Sequence, residues 1–421
     1  MHSLQVRDTE PLSPRVLNTY ARGYFAASLG CYLAVFTPAM VAMSFKVRHI
    51  VPQDQATATL SMILACGAIS ALIASPLAGR LSDRTMSRFG RRRPWILGGA
   101  LVALVSLAVA GWTSSVLVLT TAWITTQAGV NAAFAAANAT LADQVPGVQR
   151  GRVTGMVGMT SPLAMLGGAL IVNVFASDIA RFVVPGLLAL GLTGFFVRQL
   201  NDRPRRERPA GRFSVKDFLG TFVFNPRTNR DFGWMWLTRF CAMFGYYGIA
   251  AYVPYYLADE FHLDEASVAS TILKANLAAG VAMLVSSPLA GMLSDKFRRR
   301  RPFLLVAGLV MASGLTLLAF APSVTFVVAG QGVIGFGVGM YFAVDLALAT
   351  QLLPNAADAA KDLGMLNVAA VLPQVVAPAI GTTILAAGDT TSLGGYTLWF
   401  LTGTVACVAA ATVVWRIRAV K

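Results

Sequence analysis

Charged side chains are scarce in this sequence. They make up 13% of its 421 residues, about half the share of a soluble domain, which excludes a water-soluble globule of ordinary composition. Histidine is rarer still: His2, His49 and His262 stand far apart and form no ligand cluster. The four cysteines (Cys31, Cys66, Cys241 and Cys407) all fall within apolar runs, so neither a disulfide framework nor a metal site is expected. A nucleophile elbow, a P-loop and a Gly-rich nucleotide motif are also missing. Their absence argues against an enzyme and leaves no cofactor to expect. No cleavable signal is expected: the first 20 residues are polar, and the first apolar run is too long for a signal peptide. Nor do the apolar runs alternate with polar residues, as the strands of a membrane barrel would.

Apolar residues are abundant instead, at 56%, with a mean hydropathy of +0.63. They form runs of about 20 residues, long enough to cross a bilayer as helices. The pattern predicts twelve spans, near 23–45, 57–79, 95–112, 116–142, 153–175, 182–199, 231–257, 267–290, 303–321, 324–350, 363–387 and 396–415. The expected class is an all-α polytopic membrane protein. A net charge of +15 could suggest nucleic acid, but its distribution argues otherwise. With the N-terminus inside, 29 of the 34 Lys and Arg fall in inside segments. The outside loops hold only Lys46, Arg48 and Arg181, and Arg239 and Lys274 lie within spans. That asymmetry is the positive-inside rule. It places both termini in the cytoplasm and the chain in a plasma membrane, with basic loops facing anionic lipid headgroups.

One sentence of the sequence is written twice. SPLAGRLSDRTMSRFGRRRP runs from Ser75 to Pro94, and SPLAGMLSDKFRRRRP starts at Ser287. Asp83 corresponds to Asp295 at an offset of 212, and Arg93-Pro94 to Arg301-Pro302 at 208. Pro146 corresponds to Pro354 at the same 208. The chain therefore reads as two copies of a six-span unit, 1–200 and 231–421, in the same orientation. A basic, Pro-containing linker at 201–230 joins them.

Parallel six-span repeats with a basic linker resemble the layout of major facilitator transporters. The loop Gly79-Arg-Leu-Ser-Asp83-Arg84 followed by Gly90-Arg-Arg-Arg93 resembles their signature between spans 2 and 3. The longer stretch CGAISALIASPLAGRLSDRTMSRFGRRRPWI (66–96) is similar to the sucrose–proton symporter branch, near the glycoside–cation symporters. VDLALATQLLPNAADAAKDLGMLNVAAVLPQVVAP (344–378) is similar to bacterial members of that branch. The resemblance implies two pseudo-symmetric six-helix bundles, alternating access, symport of a sugar or glycoside with a proton or other cation, and a bacterial inner membrane. It also implies a monomer. In the loop it implies a latch made of Gly79, Asp83, Arg84, Arg91, Arg92 and Arg93, with Asp295 and Lys296 as the second copy. Gly79 and Gly291 would then permit close helix approach. The bare alternative is that the arginines only anchor topology.

In such a fold spans 1, 4, 7 and 10 line the central cavity, and polar residues within spans face it or a protein partner. Span 4 carries Gln127, Asn131, Phe134 and Asn138 on one helical face. Amides donate and accept, which suits sugar hydroxyls. Trp123, one turn outward, is placed to stack on a sugar ring. Tyr24, Ser28 and Tyr32 of span 1, and Met243, Tyr246 and Tyr247 of span 7, are further lining candidates. Span 10 carries Gln331, Gly335, Val338, Phe342 and Asp345 on one face. Asp345 is the one acidic residue well inside a span, about 10 Å from its inner end. A carboxylate in a low-dielectric interior takes up a proton more readily than one in water. Arg239 enters span 7 from the same side to a similar depth, so an Arg239–Asp345 pair is expected to carry proton coupling. A permanent structural ion pair is the alternative. Lys274 enters from the other side and is expected to snorkel outward.

The chain departs from the sucrose branch at two positions. That branch has an Arg in a Pro-Cys-Arg-Ala-Leu-Leu-Ala-Asp string of span 4. The matching text here is AANATLAD, with Asn138 in place of the Arg. Gln127 stands where the branch has an Asp. Proton-driven export of a drug or metabolite is the alternative, and a transporter-like receptor without flux a remote one. Span 5 reads Gly158-Met-Thr-Ser-Pro162 through Gly167-Gly168, which matches the drug-antiporter motif only in part.

Overall fold

The computed structural model describes residues 12–202, 230–250, 252–297, 299–351 and 359–417. These form twelve helical rods. They are α1 (Pro14–Ile50), α2 (Gln53–Arg84), α3 (Arg93–Trp112), α4 (Val116–Gln144), α5 in two segments (Gly147–Gly158 and Thr160–Val174) and α6 (Asp178–Gln199). The second set is α7 in two segments (Arg230–Ala250 and Val253–Glu260), α8 (Glu265–Phe297), α9 (Arg301–Ala319), α10 (Val324–Gln351), α11 (Ala359–Asp389) and α12 (Gly395–Val413). Ten stretches of these rods are long and apolar enough to cross a membrane. The two rods outside that set, α4 and α7, carry Gln127, Asn131 and Arg239, so their polar residues lower the hydropathy. Each expected span has its rod, but several rods extend beyond the predicted limits. Helix continues where the sequence turns polar, because the backbone needs no apolar surroundings to keep its hydrogen bonds.

Proline marks the starts and the defects. Pro14, Pro94 and Pro302 occupy first-turn positions, where the missing N–H costs nothing. Pro38 sits inside α1, and there the helix widens to a π-helical segment over Pro38–Ala42.

The chain divides into two compact units, Met1–Lys46 with Ile69–Arg212, and Val47–Ala68 with Phe213–Lys421. The repeat is visible in each. In the first unit α3 packs on α4 and α6, and α1 on α5 and α6. In the second, α9 packs on α10 and α12, and α7 on α11 and α12. The same four pairings thus occur six helices apart. The contacts agree with the 208-residue offset. A Cβ on Gly129 would lie 2.6 Å from the Gly99 carbonyl oxygen, and one on Gly337 would lie 2.9 Å from that of Ala307. Backbones this close require glycine and gain van der Waals contact where lipid supplies no hydrophobic drive. The expected close approach at Gly79 is not found among the described residues: none of their atoms lies within 4 Å of where its Cβ would stand. Gly291 has ordinary spacing, 4.0 Å to the Ala343 side chain. These glycines lie toward the ends of their rods, and the tight crossings come mid-rod. Residues such as Val105, Leu170, Val281 and Val405 are exposed, as expected of rods that face lipid.

Candidate functional site

The repeated basic sentence folds into an ion-pair cluster at one end of the first unit. Arg92 is 4% exposed and is the hub. Its guanidinium contacts Asp83 Oδ1 at 2.5 Å and Asp143 Oδ2 at 3.1 Å, and donates to Ser82 Oγ at 2.6 Å. Arg91 meets the other Asp143 oxygen at 2.5 Å. Arg93 donates to the Leu200 carbonyl. Asp202, just past α6, accepts the backbone N–H of Arg92 at 2.7 Å and of Arg93 at 2.9 Å. It satisfies orphan donors at the start of α3 and sets a negative charge at the positive end of the helix. Gly90 makes the turn with φ +103°, and a Cβ there would collide with the Asp202 carboxylate. Arg84, the last residue of α2, is half-buried. In the second copy Lys296 is exposed, and the Asp295 side chain lies outside the described residues. Sequence reading missed Asp143 and Asp202. The available signal was an acidic residue ending α4 and another following α6, each opposite a strongly basic loop.

Within each unit, charges assigned to outer loops prove to be paired. Lys46 contacts Asp178 at 3.3 Å and donates to the Gly111 carbonyl at 2.8 Å. Arg181 donates to the Phe175 carbonyl and lies over the Phe45 ring. In the second unit Arg48 meets Asp259 at 2.7 Å, and the Tyr396 hydroxyl donates to the other Asp259 oxygen at 2.6 Å. His49 sits 3.2 Å from Glu265.

Within the first unit, the α4 face predicted from spacing meets the α1 face. Tyr24 donates to Asn138 Oδ1 at 2.5 Å, and the Tyr32 and Phe134 rings lie edge to face at 5.1 Å. Phe36 stacks on Tyr32 at 5.3 Å. Gln127 is buried, and Asn131 donates to its backbone carbonyl at 2.9 Å. Asn138 keeps an exposed side chain. Trp123 does not join this face as an open platform. It is fully buried, and its indole N–H makes no hydrogen bond.

In the second unit Arg239 and Asp345 come together as the depth argument requires. Arg239 Nη2 lies 3.3 Å from Asp345 Oδ2, the guanidinium side chain 17% exposed and the carboxylate 1%. Tyr341, one turn before Asp345, is fully buried, and its ring lies 6.4 Å from that of Phe342. Tyr246 and Tyr247 are in ring contact at 4.9 Å. Phe342 and Gln331 are half-buried, and Lys274 is exposed. The expected α10 face does not hold along its length. A Cβ on Gly335 would collide with the Ala279 backbone of α8, and Val338 is buried. An all-round apolar helix gives spacing no preferred face, so close packing on α8 took the middle of that stripe.

Comparisons with known proteins agree with this architecture. The chain matches the Major Facilitator Superfamily over residues 21–281 and 235–421. It is 24% identical over 331 residues to a cis,cis-muconate transport protein of Acinetobacter baylyi, covering 76% of this chain and 77% of that one. It is 47% identical to the sucrose transport protein SUC4 of Arabidopsis thaliana, but over 51 residues, 12% of this chain and 10% of that one. The plant likeness is thus confined to about a tenth of the relative's length. Among solved structures, a D-xylose–proton symporter superposes with TM-score 0.67 at 15% identity, covering 96% and 97% of the two chains. The nucleoside transporter NupG superposes with TM-score 0.73 at 11% identity, covering 95% and 99%.

Proposed function

Since the chain belongs to the Major Facilitator Superfamily and so is a multi-pass membrane transporter, we propose that it couples a small polar solute to the proton gradient, with Asp345 as the proton carrier. The observation that carries this reading is a carboxylate 1% exposed, held by a single 3.3 Å contact to one cation. An ionised carboxylate in that setting is held by Arg239, and a protonated one loses most of that attraction. The pair therefore has two arrangements that differ by one proton, as a gradient-driven cycle requires.

The solute is a sugar or glycoside in this reading. The α1–α4 face supports it: Asn138, Asn131 and Gln127 offer amide donors and acceptors, and Tyr32, Phe36 and Phe134 lie on the same two rods. The short matches to plant sucrose transport proteins support the same class. The Arg92 cluster acts as the clamp on the α2–α3 loop. Both termini lie in the cytoplasm of a bacterial cell, and the protein works as a monomer. The test is uptake into proteoliposomes of a panel of mono- and disaccharides and aryl glycosides under an imposed inward proton gradient. Accumulation that a protonophore abolishes is expected. Flux indifferent to the gradient contradicts proton coupling, and flux driven outward by it favours an exporter.

A further inference from the structure

The charge pair of α7 and α10 holds more hydrogen-bonding capacity than it uses. Arg239 and Asp345 meet through one Nη2–Oδ2 contact of 3.3 Å. Arg239 Nε is buried and makes no hydrogen bond, and the buried Asp345 Oδ1 and Tyr341 hydroxyl, though neighbours, stand short of good hydrogen-bond geometry. A fork-to-fork pair would have used Nε and the second oxygen together. Buried polar atoms without partners are uncommon, and each one here calls for a cause. The two sides are also unequal. Asp345 is closed off, whereas the Arg239 side chain keeps 17% of its surface, so of the two side chains Arg239 is the more open.

Among the described residues of the second unit, no other cation competes for that role nearby. Around the pair, α7 contributes Arg239, Cys241 and Tyr247, and α10 contributes Tyr341 and Asp345. The only charge within α9 is Arg301 at its start, and α12 has none over Gly395–Val413. On α8, Lys274 precedes Ala278 by one turn, and Ala278 packs on Gly332. Asp345 lies some 13 residues further along α10, about 20 Å away. The other α8 charges stand at the rod's ends, as do Lys361, Asp362 and Asp389 on α11.

We infer that Arg239 is an anion-binding group and that the cargo bears a carboxylate, which takes the place of Asp345 on the guanidinium. The inference rests on the proton-coupling reading above and narrows its substrate class to a sugar or glycoside that bears a carboxylate. One proton from the aqueous phase adds to the Asp345 carboxylate and makes it neutral. The freed guanidinium offers Nε and Nη2 as a parallel fork to the cargo carboxylate, the geometry for which arginine is suited and lysine is not. The site charge is the same before and after. A monoanion carried with one proton moves no net charge, whereas an uncharged sugar carried with one proton moves one.

The direct test uses sodium formate as the smallest carboxylate probe, with sodium chloride at equal ionic strength as control, on the purified full-length protein. Formate is expected to raise the melting temperature of Asp345→Asn by about 2–4 °C over chloride. It should leave the Arg239→Gln/Asp345→Asn double variant unmoved. Equal shifts in both, or none in either, overturn the inference. Should Asp345→Asn not fold, the wild-type protein serves: formate must stabilise it more at acid than at neutral pH, and equal effects overturn the inference. Transport separates this failure from that of coupling. Uptake driven by a pH gradient and also by membrane potential refutes the carboxylate cargo yet leaves proton coupling standing. Uptake indifferent to pH refutes the coupling itself.

Discussion

Arg92 and Arg91 are neighbours in sequence with the same side chain, and the structure assigns them different weights. Arg92 is 4% exposed and serves Asp83, Asp143 and Ser82 at once. Arg91 shares a single pair with Asp143 in which both side chains are 27% exposed. Breaking a buried pair costs about 3–5 kcal/mol, but three features reduce that figure for Arg92→Gln. Asp83 is 55% exposed and rehydrates. Asp143 retains Arg91. The Ser82 hydroxyl already donates to the Gly79 carbonyl. The expected loss is about 2–4 kcal/mol for Arg92→Gln and about 0.5–1 kcal/mol for Arg91→Gln. Arg92→Lys recovers only part, since an ammonium cannot span three acceptors as a planar fork does. The assay is thermal unfolding of the purified protein at low and high salt. The Arg91 difference should shrink with salt, because exposed pairs are screened, and the Arg92 difference should persist. Equal destabilisation by the two variants, or an Arg92 effect that salt removes, would refute the buried-hub reasoning.

Three further outcomes follow from the same geometry. Gly337→Val should destabilise more than Gly79→Val, by about 1–3 kcal/mol, because a Cβ at 337 stands 2.9 Å from a carbonyl oxygen and one at 79 meets nothing; comparative melting checks it. Asp202→Ala removes the acceptor of two backbone donors at the start of α3 and should cost about 1–2 kcal/mol, read by melting or by faster amide exchange at Arg92 and Arg93. Asp264, just before α8, is held below the usual carboxylate range chiefly by its hydrogen bonds with Ser267. Its contribution is therefore present above the ordinary aspartate pKa and lost as pH falls through the lowered value. Asp264→Asn should flatten that part of the acid melting profile, and an unchanged profile contradicts the assignment.

The sequence made the architecture legible because membrane spans are written in composition and the repeat in two copies of one loop. Arg239 and Asp345 were legible for a related reason. With one basic and one acidic residue entering from the same side, counting turns from the rod ends is enough to bring them together. Asp143 and Asp202 were not legible, since they join Arg92 across 51 and 110 positions, and no local pattern encodes that. The α10 stripe failed where its glycines were claimed by α8. Trp123 was misjudged because an aromatic among small residues reads equally well as a platform or as a filler, and only packing decides.

In the proposed cycle Asp345 links solute movement to the proton gradient. The most direct measurement compares wild-type protein with Asp345→Asn in proteoliposomes, following both uphill accumulation under a proton gradient and solute exchange at equal pH. The variant is expected to lose accumulation and retain exchange. Undiminished uphill accumulation by Asp345→Asn would contradict that cycle.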